Sequence, residues 1–240
     1  MLRVLDPPCE VVSPPDLALD VSALNDLIDR QLRDYADLGR SFTWQVHAHD
    51  HPDVGSRVLD LGFSIQRAQP LLGARVGDVL QSAISPLGGA VPRNVSSGEE
   101  LELVAQMHAE VGARQGLWAW DPAALASRLS AMLSDDPPST GIFAVNCEGQ
   151  LIASAWVTID LTSELAELAG AVTIPSSRGR GVFSSLVRAR ARFAQDHGVS
   201  FVYAEASPQS QGPLQRLVLR VVSVFTVLVW DSWVCLLLLR

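Results

Sequence analysis

The chain has 240 residues, 48% of them apolar, and a net charge of −8 from 18 basic and 26 acidic side chains. That apolar share supports a packed core and excludes a disordered class, and the acidic balance excludes nucleic acid as the main partner, since a phosphate-binding surface needs a basic excess. Cys9, Cys147 and Cys235 stand too far apart for a metal set or a disulfide framework, so a reduced, cytoplasmic setting is expected, and proline and acidic residues interrupt the N-terminus before any apolar signal core forms.

Residues 16–40 carry Leu24, Leu27, Ile28, Leu32 and Tyr35 at helical spacing, with Gly39 as a stop. An alternating segment at 41–50 predicts a strand, 51–63 a short helix, and 64–72 a second strand. Residues 76–95, with Pro86, Gly88, Gly89 and Pro92, read as a connector. The second part opens with a helix over 97–112, acidic in its first turn as the helix dipole favours. A second helix follows over 121–133, with Asp121 as N-cap and Pro122 in the first turn. Residues 141–161 predict a hairpin turning at Glu148-Gly149, and 166–174 another strand. After a glycine-rich loop come a helix, a strand over 201–207, a short helix at 212–217 and an apolar segment to the end. The boundaries are therefore 1–75, a linker at 76–92, and 93–240.

Residues 217–240 are mostly apolar, yet Arg220 and Asp231 fall inside the run of about 20 apolar residues that a membrane helix needs. Their Val, Phe, Thr and Trp content predicts two buried strands, and no membrane partner is expected. There is also an internal echo. Residues 42–72 and 201–229 share a plan of strand, proline-containing bend, short helix, turn and strand. In this pairing Leu59, Leu61, Gly62 and Phe63 fall on Gln215, Leu217, Val218 and Leu219.

The chemistry-bearing segment is 171–187, AVTIPSSRGRGVFSSLV. An apolar strand ends at Pro175, two arginines and two glycines follow, and an amphipathic helix begins. Val182, Phe183, Leu186, Val187, Phe193 and Ala194 form its apolar face, Arg188, Arg190 and Arg192 project elsewhere, and Gly198 caps its end. Gly179 and Gly181 thus lie at a helix N-terminus, where free amides and the dipole favour an anion. Arg178 and Arg180 add charged donors suited to phosphate. The segment reads as a pyrophosphate cradle. It is not a P-loop, which needs four residues between its glycines and a following Lys-Ser/Thr. Ser184 stands at the third glycine of a dinucleotide fingerprint, and the strand-to-helix connection is too long for that motif.

This stretch resembles motif A of the GNAT superfamily of acyl-CoA-dependent N-acyltransferases, whose signature is a strand ending in x-V-x-P and then Arg/Gln-x-x-Gly-x-Gly/Ala. Arg178 takes the Arg/Gln position and Gly181 the first glycine, whereas Phe183 stands where Gly or Ala is usual. The element order of 93–230 matches that fold, and ASPQSQGPLQRLVLRVV resembles its closing part, with Leu217, Val218 and Leu219 where Leu-Gly-Phe is more common. The resemblance implies an α/β (α+β) fold with a mixed, mostly antiparallel sheet flanked by helices. The smaller N-terminal part resembles a degenerate second copy, as in tandem members. It further implies acetyl-CoA as cofactor, its pyrophosphate on Gly179, Arg180, Gly181, Val182 and Phe183, and its pantetheine arm along Val172, Thr173 and Ile174.

The implied activity is acetyl transfer to a primary amine by direct attack on the thioester. The −8 charge favours cationic acceptors such as polyamines, aminoglycosides or lysine side chains, as a small molecule or a peptide. Glu167, eleven residues ahead of Arg178, matches the strand carboxylate used as base in histone-type members; the other reading is a carboxylate facing water, with Glu164 a weaker substitute. Tyr203 is the candidate for the acid, since Leu214 occupies the place of the family's tyrosine, and Ser207 is a candidate to bond the cofactor or the thiolate; a sheet tyrosine and a helix-cap or turn serine are the alternatives. Trp118 and Trp120 lie where acceptor-binding loops occur and equally suit a helix anchor. His47, His49 and His51 share one strand face, but Pro52 ends it, and no metal is expected. The departures at Phe183, Leu214, Val218 and Leu219 keep a second class open: an acyl-CoA-binding or structural protein without turnover. The apolar C-terminal strand also leaves a homodimer open.

Overall fold

A computed structural model describes residues 2–4, 10–12, 20–49, 53–83, 91–115, 121–134, 139–160 and 162–231. In chain order the elements are β1 (Leu2–Val4), β2 (Glu10–Val12), α1 (Val21–Asp37), β3 (Phe42–His47), α2 (Val54–Asp60), β4 (Ser64–Arg75), α3 (Val76–Gln81), β5 (Arg93–Asn94) and α4 (Gly98–Gln115). There follow α5 (Pro122–Met132), β6 (Thr140–Cys147), β7 (Gln150–Asp160), β8 (Leu165–Thr173), α6 (Val182–Asp196), β9 (Phe201–Glu205), α7 (Pro208–Arg216) and β10 (Arg220–Trp230). They pack as two units, one from residues up to 71 with those from 221 onward, the other from Leu72–Arg220. The fold class read from the sequence holds: strands are mostly antiparallel and flanked by helices.

In the first unit the strand order is β1-β2-β3-β10-β4. β2 runs parallel to β3, while β1 and β10 pair antiparallel with their neighbours β2 and β3. The apolar stripe of α1 is buried at Leu24, Ile28 and Tyr35, which pack with Phe42, Trp44 and Phe63. Tyr35 stacks on Phe42 with ring centroids 4.1 Å apart. Fully burying a side chain of this size contributes about 1.5–3 kcal/mol, so the stripe rather than intrinsic propensity fixes α1 in place.

In the second unit the order is β9-β8-β7-β6-β5. β6 and β7 join at Glu148 and Gly149, both left-handed (φ 52 and 79), which matches the right-handed twist of a tight hairpin. β8 runs parallel to β9 over three residue pairs only, Leu165–Phe201, Ala166–Val202 and Glu167–Tyr203. Beyond Glu167 the edge of β8 that faces β9 has no strand partner among the described residues. One side of these strands packs on α6 through Leu186, Val187, Ala191 and Ala194; α4 and α5 cover residues of the other side.

Three sequence expectations change. Residues 76–81 are not linker but helix α3, whose Val76 and Val79 join the core under α6, and β5 lies where the connector was drawn. The apolar C-terminal segment gives one described strand, β10, which packs in the first unit; its Val221, Val222 and Val224 are exposed while Phe225, Val227 and Leu228 are buried. Residues 232–240 lie outside the described residues. Arg190, placed on the polar face of its helix by periodicity, is buried to 1% exposure. Among the described residues no helix is long and apolar enough to cross a membrane.

The internal echo is longer than the sequence discloses. Both β1-β2-α1-β3-α2-β4 and β7-β8-α6-β9-α7-β10 run as an antiparallel strand pair, a helix to a parallel strand, a short helix and a strand. The ends of α2 and α7 close identically. Phe63 N–H donates to Val58 O and Gly62 N–H to Leu59 O, as Leu219 N–H does to Leu214 O and Val218 N–H to Gln215 O. Gly62 (φ 91) and Val218 (φ 65) hold the same left-handed position.

Candidate functional site

The glycine loop is built as its sequence requires. β8 ends at Thr173, a single 3-10 turn over Pro175–Ser177 follows, and Gly181 is the N-cap of α6 in left-handed backbone (φ 82). A glycine here has no side chain to cap with, and the first backbone bond into the helix is from the Ser185 N–H to Gly181 O at 3.1 Å. The N–H groups of Val182, Phe183 and Ser184 are therefore left at the helix start without an acceptor among the described residues. Gly179 (φ 73) makes a second left-handed step, and a Cβ there would meet nothing within 4 Å. This is an open, positively polarised helix end that fits a phosphate group.

Thr173 presents its backbone to the free edge of β8. Ile174 N–H donates to Ile152 O of β7 at 3.0 Å, and alternation turns Thr173 the other way. The Thr173 carbonyl accepts from Arg178 Nε at 3.1 Å, so Arg178 folds back along the strand and ties the loop to it. Arg180 is exposed, Val182 is buried and Phe183 is half-buried against the α6 core.

Glu167 and Tyr203 are register partners across β8 and β9, and so lie side by side on one face. Their neighbours in sequence, Ala166, Leu168, Val202 and Ala204, face the α6 core, which turns Glu167 and Tyr203 to the opposite side. Burial raises the pKa of Glu167, and the Arg128 guanidinium opposes that rise. Burial first, then the carboxylates of Glu167, Glu205 and Asp160, push Tyr203 up to about 12. At neutral pH the phenol is a proton donor beside a carboxyl that ionises late. Such a pair can accept a proton from one partner and supply one to another.

Ser207 caps α7: its Oγ accepts from the Ser210 N–H at 3.2 Å. Leu214 is buried. Trp118 and Trp120 lie outside the described residues, as does His51; His49 Nδ1 is 2.9 Å from Ser223 Oγ.

Sequence reasoning missed a cluster where β7 and β8 lose register. The bulge lies between Ser154 and Trp156 of β7, opposite Ala169 to Val172. Gly170 is left-handed there (φ 56), and a Cβ on it would stand 2.1 Å from the Trp156 ring. His108 of α4 packs tilted against that ring with centroids 5.2 Å apart, and its Nε2 is 2.9 Å from Ser154 Oγ. Burial holds His108 down to about 4. From the α6 side, Arg190 Nη1 donates to Trp156 O at 3.2 Å and Ala169 O at 3.1 Å. Only the glycine in an otherwise β-forming run hinted at this bulge.

The model of the Acetyltransferase (GNAT) family matches residues 106–218. Among solved structures the chain is similar to a GCN5-related N-acetyltransferase from Kribbella flavida, with a TM-score of 0.69 at 17% identity over 92% of this chain and 80% of that one. A GCN5-related N-acetyltransferase from Sphaerobacter thermophilus gives 0.65 at 14% identity, over 93% and 73% of the two chains. A tandem GNAT protein from the clavulanic acid biosynthesis pathway gives 0.63 at 14%, over 85% and 70%. At these identities the likeness is one of fold. No curated protein sequence matches the chain.

Proposed function

We propose that the chain, whose residues 106–218 match the model of the Acetyltransferase (GNAT) family, transfers the acetyl group of acetyl-CoA to a primary amine. The observation that carries this reading is the uncapped start of α6 at Gly181, placed directly after the free edge of β8. The pyrophosphate sits on the amides of Val182, Phe183 and Ser184. The pantetheine arm runs back along β8 past Thr173, so the thioester arrives near the bulge and Glu167.

The amine nitrogen then bonds to the thioester carbon, and the C–S bond breaks. Glu167, in its ionised form, takes the proton that the attacking nitrogen loses. The departing thiolate takes a proton from Tyr203 or from water. Cationic amines are the acceptors favoured by the acidic chain. Residues up to 75 form a degenerate copy without cofactor, because Asp20 of the chain itself occupies the start of α1.

Thiol release from acetyl-CoA with spermidine, kanamycin and a lysine-bearing peptide tests the reading. Thiol formed with at least one amine, and lost in Glu167→Gln, is the expected result. The buried Leu214, in place of a family tyrosine, favours a second reading of binding without turnover. Tight acetyl-CoA binding with no thiol released by any of the three amines supports that reading instead.

A further inference from the structure

Arg190 is a cation buried to 1% exposure, and its three bonds all go to carbonyls: Leu186 O in its own helix at 3.1 Å, and Trp156 O and Ala169 O. Trp156 and Ala169 are register partners at the bulge. Among the described residues no carboxylate pairs with the charge. A buried cation held by carbonyls alone is costly to a fold, so its presence calls for a reason.

The repeat supplies a control. Gly39 and Gly198 end the two long helices in left-handed backbone, and Phe42 and Phe201 begin the strands that follow. That alignment puts Gln31 of α1 in the place of Arg190. Gln31 is also buried, at 3%, with its Oε1 unpartnered. The fold accepts a neutral polar side chain here, and only the run with the open glycine loop carries the charge. A bridge between the two strand carbonyls from one side, and the Trp156 ring over Gly170 from the other, clamp the bulge from both faces.

We propose that Arg190 is a positioning residue for acyl transfer: it fixes the bulge that receives the thioester end of the cofactor and holds a positive charge beneath it. That charge favours the thioester oxygen as it becomes negative during attack. The inference rests on the acetyl-CoA reading above.

The test is calorimetric titration with CoA and acetyl-CoA, together with the infrared carbonyl band of bound acetyl-CoA labelled with ¹³C at the carbonyl. Native protein should prefer acetyl-CoA to CoA by at least about fivefold and lower the carbonyl frequency. Arg190→Gln, which copies the residue of the other run, should keep its affinity for CoA within about twofold and lose both the preference and the frequency shift. A purely structural role would leave the shift intact in any folded variant. If Arg190→Gln does not fold, Arg190→Lys keeps the charge without the two-carbonyl bridge, and its band should fall between those of free and native-bound cofactor. A native protein that binds acetyl-CoA without a shift, or a variant with the full native shift, overturns the proposal alone. Failure of the native protein to bind either ligand overturns the acetyl-CoA reading and the proposal with it.

Discussion

Helix α1 starts on an anion of its own. Asp20 Oδ1 accepts from the Ala23 N–H at 2.8 Å, and the positive end of the helix is satisfied from within. Helix α6, at the same place in the second run, starts on Gly181, and its first amides are left open. The two runs share strands, crossover and even the bond pattern that closes their short helices. They differ in what is left unfinished. In the second run burial raises the pKa of Glu167 and pushes Tyr203 up to about 12, and the two lie side by side across β8 and β9. The same run of elements thus closes its helix start with its own carboxylate in one case and leaves it open in the other.

The comparison breaks hardest at Glu167. Glu167→Gln should lower thiol release by about 10²–10⁴-fold and leave acetyl-CoA binding unchanged. Native activity should rise with pH through a midpoint above the usual carboxylate range, because burial raises this group. The same shift acts on stability in the opposite sense. Between the ordinary and the raised value the folded state holds more protons than the unfolded one, so stability falls as pH rises, and the Gln variant removes that loss. Activity profiles and urea unfolding at pH 5 and 7 check both.

Gly181→Asp places a carboxylate at the start of α6. Its carboxylate competes for the open amides, and acetyl-CoA binding measured by calorimetry should weaken by about 100-fold or more. A variant that binds as the native protein does would separate the cofactor from the helix end.

His108 is buried in the second unit, with its Nε2 2.9 Å from Ser154 Oγ. Its folded value of about 4 lies below the ordinary 6.5. Stability is therefore fully present above pH 6.5 and is lost as pH falls toward 4, by on the order of 2 kcal/mol at pH 5. His108→Gln should flatten that part of the urea-unfolding profile.

The smallest effect sharpens the likeness of the runs. A β-branched Val218 at φ 65 is strained where Gly62 is not. Val218 is also 42% exposed and so contributes little packing. Val218→Gly should stabilise by about 1 kcal/mol, and Gly62→Val should cost about 1–2 kcal/mol, read from thermal unfolding.

Much of this was legible in the sequence. The hairpin at Glu148-Gly149, the cap at Asp121, the glycine start of α6 and the Gly62–Val218 correspondence all follow from local backbone demands, which composition records directly. Other features depend on partners distant in sequence. Arg190 looks like part of a solvated face until the bulge supplies two carbonyls to it. Residues 76–81 look like a linker until Val76 and Val79 find the core beneath α6. β1 and β2 are three residues each, too short for any period to register, so the repeat looked half its true length. Glu167 and Tyr203, far apart in the chain, become a pair only through strand register.

The most direct test of the central claim is the unfolding free energy of the native protein and of Gly181→Asp, each with and without acetyl-CoA. At a ligand concentration 100 times the dissociation constant, the native protein should gain about 2.7 kcal/mol and the variant close to nothing. An equal gain in both would place the cofactor away from the start of α6, and no gain in the native protein would remove acetyl-CoA from the account.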